Sequence, residues 1–447
     1  MLSIIKKNNV GRLYQKYPYL MDFEQHIFLH EFKNEYYILP RYFLRNHPNA
    51  NDIVSIFIDN EFKGKSIDIE FNGALRPDQI PIVSHMLSLF ETNGYVNGIL
   101  KAKPGFGKTI CSAYIVSALK KKTLIVLNNS KLVEQWNDAF LNFTSLTADD
   151  IGFIIGKQFS PKLVTITMVQ TLLSKTKKDI KEFYKKMRDE GFDLVFFDET
   201  HRTSAGSKYA LSSLFLNTKN IIGLTATPYG DLLHSFFMKN IIGDIIYEFV
   251  DYDTIPEIYF INYKSQLGSK YFWRVAKIKD YIGRIGYYNK ILYQSPVYLE
   301  IITKLCKKIV KSERKVIIIV STLDQLNAVV TALEHNNIPA KKLYSKEQDI
   351  DKEKDNVIVA TYKLASHGFD YAELSCLILA TPLKGKTSLI QTVGRILRKY
   401  HNKKTPIVFD LIDYDFQNIF KSMVPTKQKI LTKEFNIEKF HTIDFNI

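Results

Sequence analysis

Cysteine is scarce: only Cys111, Cys306 and Cys376 occur in 447 residues, with no CxxC pair and no Cys/His cluster at metal-ligand spacing. That scarcity argues against a disulfide framework and a structural zinc, and the three thiols are expected to be buried. Long hydrophobic runs are missing too. The apolar stretch 316–320 falls far short of the roughly 18 residues that span a bilayer. Residues 1–12 carry lysines but no apolar core of the kind a secretory signal needs, so a cytoplasmic location is expected. Pro/Gly-rich linkers, low-complexity tracts and short-period repeats are absent as well. Acidic residues are the minority charge, 46 against 61 basic, giving a net charge of +15. Such an excess favours a polyanionic partner, although Lys-rich proteins without one share it.

What is present is a globular composition, 46% hydrophobic and 24% charged, over a length that suits two large α/β domains and a smaller one. Residues 1–73 balance nine basic against nine acidic side chains, and 54–71 alternates apolar and polar residues, which predicts a small β-containing domain with a hairpin. Beyond residue 74, short β-branched runs at 123–127, 163–167, 194–197 and 221–224 alternate with helix-length amphipathic segments. The pattern breaks after 251 and resumes at 316–320, 357–360, 376–380 and 407–409. Strands alternating with helices imply parallel sheets covered on both faces, so two tandem α/β domains are expected.

Ala102-Lys-Pro104-Gly105-Phe106-Gly107-Lys108-Thr109 follows an apolar stretch and opens a helical run. Glycines at 105 and 107 let consecutive amides face a phosphate, Lys108 adds charge, and Thr109 offers a hydroxyl to Mg²⁺. The first glycine of the usual pattern is Ala102 here, and a lysine-rich surface turn is the bland alternative. Ninety residues after Lys108, an apolar strand ends in Asp198-Glu199. Asp198 suits a nucleotide-bound Mg²⁺ and Glu199 a general base acting on water, so an NTPase is inferred.

Further motifs then fall in a fixed order: Leu75-Arg76-Pro-Asp78-Gln79, Asp198-Glu-Thr-His201, Thr225-Ala-Thr227-Pro228, Val359-Ala-Thr361 through Gly368-Phe-Asp370, and Gln391-Thr-Val-Gly-Arg395-Ile-Leu-Arg398. Together they resemble superfamily 2 helicases, closest in spelling to the branch with phage UvsW-type, XPB-type and restriction-enzyme translocase motors. The resemblance covers roughly residues 74–415. It implies two RecA-like motors, at 74–250 and 296–447, preceded by an accessory α+β domain (1–73) that is a candidate DNA-binding element and separated by a basic-aromatic insertion (251–295). It also implies ATP and Mg²⁺ as cofactors and DNA as partner, with 3′ to 5′ tracking and remodelling of branched intermediates. Arg76, Gln79, Pro104 through Thr109, Gly368 and Asp370 would bind nucleotide, and Lys108, Asp198, Glu199, His201, Gln391, Arg395 and Arg398 would serve catalysis. Asp78 stands where the family carries an aromatic. Arg395 and Arg398, three apart, are expected on one helical face, as cations for a γ-phosphate or as a solvated basic helix end.

Strand contacts are implied for Asn129, Lys131, Thr167, Gln170, Ser321, Thr322 and Thr361, with Asn128-Asn129 replacing the family's Pro-Thr. Strand-end Ser and Thr also cap helices. Residues 260–295 carry seven basic side chains against one acidic, interleaved with nine aromatics including Tyr271 and Trp273, beside Arg274. This is either a stacking surface for unpaired bases or a helical hairpin packed on the motor. An RNA helicase, a duplex translocase subunit of a restriction complex and a nucleotide-gated binding module remain as alternatives.

Overall fold

From residue 97 onward the short β-branched runs become strands with both faces covered, as the computed structural model shows. It describes residues 2–23, 30–32, 35–57, 62–176, 180–200, 216–226, 232–249, 254–344, 350–351, 354–362, 371–383, 385–398 and 400–445. They divide into two units, Met1–Phe249 and Val250–Ile447. Among the described residues no helix is long and apolar enough to cross a membrane.

The first unit begins with an antiparallel sheet of β1 (Leu2–Lys6), β2 (His30–Phe32), β3 (Tyr36–Leu39) and β4 (Val54–Phe57), in the order β2-β3-β1-β4. The hairpin expected over 54–71 is not what forms. β4 pairs with β1, whereas Ser66 bridges Lys121 and Phe71 bridges Thr144. The cause is burial: Ile67 and Ile69 sit in the core of the following parallel domain, so the segment belongs to it.

That domain is a seven-stranded parallel sheet of β5 (Asn97–Ala102), β6 (Thr123–Leu127), β7 (Ile151–Ile154), β8 (Val164–Met168), β9 (Leu194–Asp198), β10 (Ile221–Thr225) and β11 (Ile245–Phe249), ordered β11-β5-β10-β9-β6-β8-β7. Ile125 and Leu127 enter one core, Leu124 and Val126 the other. With helices on both faces no strand residue needs to be polar, which is why these runs read as continuously apolar. The amino-terminal sheet docks where β10 begins. Ile38 joins the second core, and buried Arg41 donates to Thr218 O (2.7 Å). Tyr42 N donates to Asn240 O (2.6 Å), and Phe43 meets Phe236.

The second unit repeats the plan with β12 (Glu257–Tyr263), β13 (Lys315–Val320), β14 (Lys341–Leu343), β15 (Val357–Thr361), β16 (Leu374–Leu379), β17 (Ile407–Asp413) and β18 (Phe440–Asp444), ordered β14-β15-β13-β16-β17-β12-β18. β12 lies between β17 and β18, so part of the expected 251–295 insertion is an integral strand and the second domain starts ahead of it. What remains is a helical hairpin, Ser269–Lys277 and Tyr281–Ile291, whose Val275, Tyr288 and Ile291 join this unit's core. All three cysteines are buried, and burial pushes the Cys111 thiol up to about 12.

Candidate active site

β5 ends at Ala102 and the helix Lys108–Leu119 begins with Gly107 as its cap. Gly105 (φ +77°) and Gly107 (φ +87°) both occupy the left-handed region, and a Cβ on Gly107 would collide with Gln79 Nε2. Glycine is therefore required there by conformation and by space. Lys108 Nζ donates to Ala102 O (3.1 Å) and Lys103 O (3.4 Å), folding the ammonium over the turn. The crest of the turn is braced from behind. Arg76 and Gln79 both donate to Phe106 O, Gln79 at 2.9 Å, and Gln79 Oε1 accepts from Arg76 N at 2.9 Å. Asp78 pairs with Arg76 (3.1 Å), so the departure from the family pattern orients the brace. A left-handed glycine turn capping a helix, with a lysine folded over it, fits a polyphosphate.

At the end of β9 the Asp198 carboxylate is buried; its Oδ2 accepts from the Trp136 indole (2.8 Å) and its Oδ1 from Glu199 N (2.8 Å). Burial first, then the Glu199 charge, raise its pKa well above the usual carboxylate range, with the indole and Lys108 opposing. A cation at this carboxylate would favour its ionised form, which fits Mg²⁺. Glu199 has φ +49°, a backbone conformation that costs a non-glycine residue about 1 kcal/mol or more. Thr109 lies in the first turn of the P-loop helix, and Thr225 ends β10, fully buried. His201, Thr227, Pro228, Gly368 and Asp370 lie outside the described residues.

Trp136 is the residue that sequence reasoning passed over. Leu132, Trp136, Ala139 and Phe140 form the buried stripe of the helix Lys131–Phe143. A tryptophan on such a stripe needs an acceptor for its N–H, and that was the available signal.

In the second unit Gln391 and Arg395 are almost fully buried on the helix Lys386–Ile396. Arg398 is not on their helix face as expected. Leu397 N closes on Gly394 O in a tighter final turn, and the helix ends before Arg398. Arg398 instead lines a cavity of about 530 Å³ with Tyr400, His401, Lys403 and Lys404. Burial, then the Arg398 charge, lower Lys403 to about 8.

The residues expected to contact a strand fare unevenly. Thr167 is fully buried in β8 and donates to Ile154 O (2.8 Å), leaving no hydroxyl at the surface. The amides of Ser321 and Thr322 are taken by Gln325 Oε1 (2.7 and 3.3 Å) in a helix cap. Asn129 Oδ1 accepts from Lys131 N (3.2 Å) at the start of its helix, and Thr361 ends β15. Gln170 is exposed and donates to Asn128 O (3.1 Å). Tyr271 leans on the core and donates to Gln294 (2.9 Å), and Arg274 donates to Tyr287 (3.4 Å). Trp273 is 63% exposed.

Comparison with known proteins decides the family. The family described as "Type III restriction enzyme, res subunit" matches residues 72–230, and the "Helicase conserved C-terminal domain" matches residues 299–400. The chain belongs to superfamily 2 of the helicases. L396 of Acanthamoeba polyphaga mimivirus, provisionally named an ATP-dependent RNA helicase, is 26% identical over 399 residues, 84% of this chain and 71% of that one. XPB of Kineococcus radiotolerans, named a DNA 3′-5′ helicase, is 30% identical over 179 residues, 40% of this chain and 30% of that one. Among solved structures, the Type ISP restriction-modification enzyme LlaBIII bound to DNA shares the fold, with a TM-score of 0.59 at 17% identity, covering 84% of this chain and 32% of that one. This helicase therefore hydrolyses ATP and acts on nucleic acid. Its P-loop and acidic pair lie within the first match, and Gln391, Arg395 and Arg398 within the second.

Proposed function

We propose that this helicase tracks along DNA in the 3′ to 5′ direction and remodels branched intermediates, migrating four-way junctions and regressing forks. One observation carries the junction contact: a tryptophan left in water on a basic hairpin. Trp273 and Ile282 are 63% and 70% exposed, on neighbouring helices whose other large side chains pack inward. An indole beside Lys270 and Arg274 offers a stacking face together with charge for phosphates. Support for DNA comes from the Kineococcus relative and from LlaBIII; the mimivirus relative's name supports RNA as the second reading.

In this reading the amides of the 105–109 turn and Lys108 hold the polyphosphate of ATP. Thr109 and Asp198 would hold Mg²⁺, whose charge would be available to the phosphoryl oxygens. The Trp136 indole and the Glu199 amide fix Asp198 in orientation. Glu199 takes the proton of the attacking water, and Arg395 and Arg398 are the cations that offset charge on the γ-phosphate.

ATPase should be measured with single-stranded, duplex, forked and four-way-junction DNA and with RNA. Branched DNA is expected to stimulate most; stronger stimulation by RNA than by any DNA would refute the DNA assignment. Trp273→Ala is expected to slow junction migration roughly 5- to 150-fold, matching a stacking contact of about 1–3 kcal/mol, with linear-DNA ATPase unchanged within about twofold. Equal losses in both assays would make the hairpin structural.

A further inference from the structure

β6 lies between β8 and β9 in parallel register, so the residues following these three strands emerge together at one edge of the sheet. They are Asn128 after β6, Gln170 just beyond β8, and Glu199 after β9. Hydrogen bonds run through them in sequence. Gln170 Nε2 donates to Asn128 O (3.1 Å), and Asn128 Nδ2 donates to Glu199 O (3.3 Å). Gln170 is at the surface, whereas the Asn128 side-chain oxygen is buried and, among the described residues, has no hydrogen-bond partner.

Glu199 holds a left-handed backbone at φ +49°, which surrounding contacts must sustain. Its amide is bonded to Asp198 Oδ1 and its carbonyl to Asn128 Nδ2, so the peptide groups on both sides of its Cα are anchored. A rotation at this position would swing the carboxylate away from the P-loop edge. Only a side chain with a donor at Asn128's position makes the second anchor. The same residue accepts from Gln170, an exposed amide on the surface proposed to meet the strand.

We propose that Asn128 is a positioning residue that holds the catalytic Glu199 and relays occupancy of the Gln170 surface to ATP turnover. A strand competing for the Gln170 amide releases the 128–129 backbone, and the buried Asn128 oxygen, held by no bond among the described residues, lets the side chain re-seat against Glu199. The inference rests on the proposed role of Glu199 as general base and of Gln170 as a strand contact.

Asn128→Asp keeps the shape and removes the donor, so it separates the hydrogen bond from packing. At saturating ATP and single-stranded oligothymidylate, its kcat is expected to fall at least tenfold, with affinity for a fluorescent ATP analogue unchanged within twofold. Asn128→Ala should behave alike. Asn128→Asp combined with Gln170→Ala should be no slower than the slower single variant, because both lie on one relay. A kcat within twofold of the parent, a proportional loss of nucleotide affinity, or effects that multiply in the double variant would overturn the proposal. Glu199→Gln measured alongside separates the two readings. Normal turnover there refutes the base assignment and the relay with it. Slow turnover there, with normal turnover in Asn128→Asp, refutes the relay alone.

Discussion

Asp198 and Asp413 invite comparison, because each is a buried carboxylate at the last position of a central parallel strand, β9 in one unit and β17 in the other. Burial raises the pKa of both, Asp413 to about 6. Asp198 is flanked by a second carboxylate and faces Lys108, while an indole and one amide hold its oxygens. Asp413 is wrapped instead by neutral donors. Tyr288 OH (3.0 Å), Ser265 N (3.1 Å) and Asp415 N (3.0 Å) donate to it, and Tyr263 OH joins Tyr288 OH behind them. A perturbed buried carboxylate is thus no signature of chemistry in itself. The first has a glycine turn and a strained glutamate for neighbours and is the one proposed to serve turnover; the second pins the 269–291 hairpin to the sheet.

The sharpest way to break this contrast is to remove charge from the proposed catalytic set. Arg398→Ala is expected to reduce DNA-stimulated phosphate release about 10³-fold, as for other arginine fingers. Glu199→Gln should retain ATP binding and turn over at least about a hundredfold slower, the lower range of a general base. Near-normal rates in a single-turnover assay would remove either residue from catalysis. Trp136→Phe leaves the Asp198 oxygen without its buried donor, for an expected stability loss of about 1–3 kcal/mol in denaturant unfolding and a rate loss near tenfold. Stability loss with an unchanged rate would reduce the indole to packing.

The smallest effect on turnover belongs to Asp413. Its folded pKa, about 6, lies above the unfolded value of about 3.9, so its contribution is fully present below pH 3.9 and is lost as pH rises through 6. Asp413→Asn keeps two acceptor contacts and lets the tyrosine hydroxyls reverse. Relative to the parent it should therefore gain on the order of 2 kcal/mol in unfolding free energy between pH 4 and 7, with ATPase at pH 7.5 unchanged. Parallel stability curves for the two proteins would show that Asp413 titrates normally.

Legibility in the sequence followed the physics of burial. Strands covered on both faces, such as Thr123–Leu127, are legible because nearly every position along them is apolar or β-branched. The P-loop was legible because its glycines answer to backbone geometry that other residues resist. β12, Glu-Ile-Tyr-Phe-Ile-Asn-Tyr, was hidden because it mixes polar and aromatic residues and its partner β17 begins at Ile407, far along the chain. The Trp136–Asp198 and Asn128–Glu199 bonds were hidden for the same reason, since each joins positions more than 60 residues apart. Arg398 was misplaced because a helix terminus depends on how its last turn closes, which spacing alone does not encode.

The buried Arg41 also sets an order of manufacture. Its acceptor, the Thr218 carbonyl, lies 177 residues downstream, which at 5–20 residues per second corresponds to roughly 10–35 seconds of synthesis. During that interval Ile38 and Arg41 lack the surface that buries them, since β10 and the segment carrying Asn240 have not been made. The amino-terminal sheet is thus made well before the surface that completes it, and a nascent chain stalled before residue 218 would expose an apolar and cationic surface to the chaperones that attend translation.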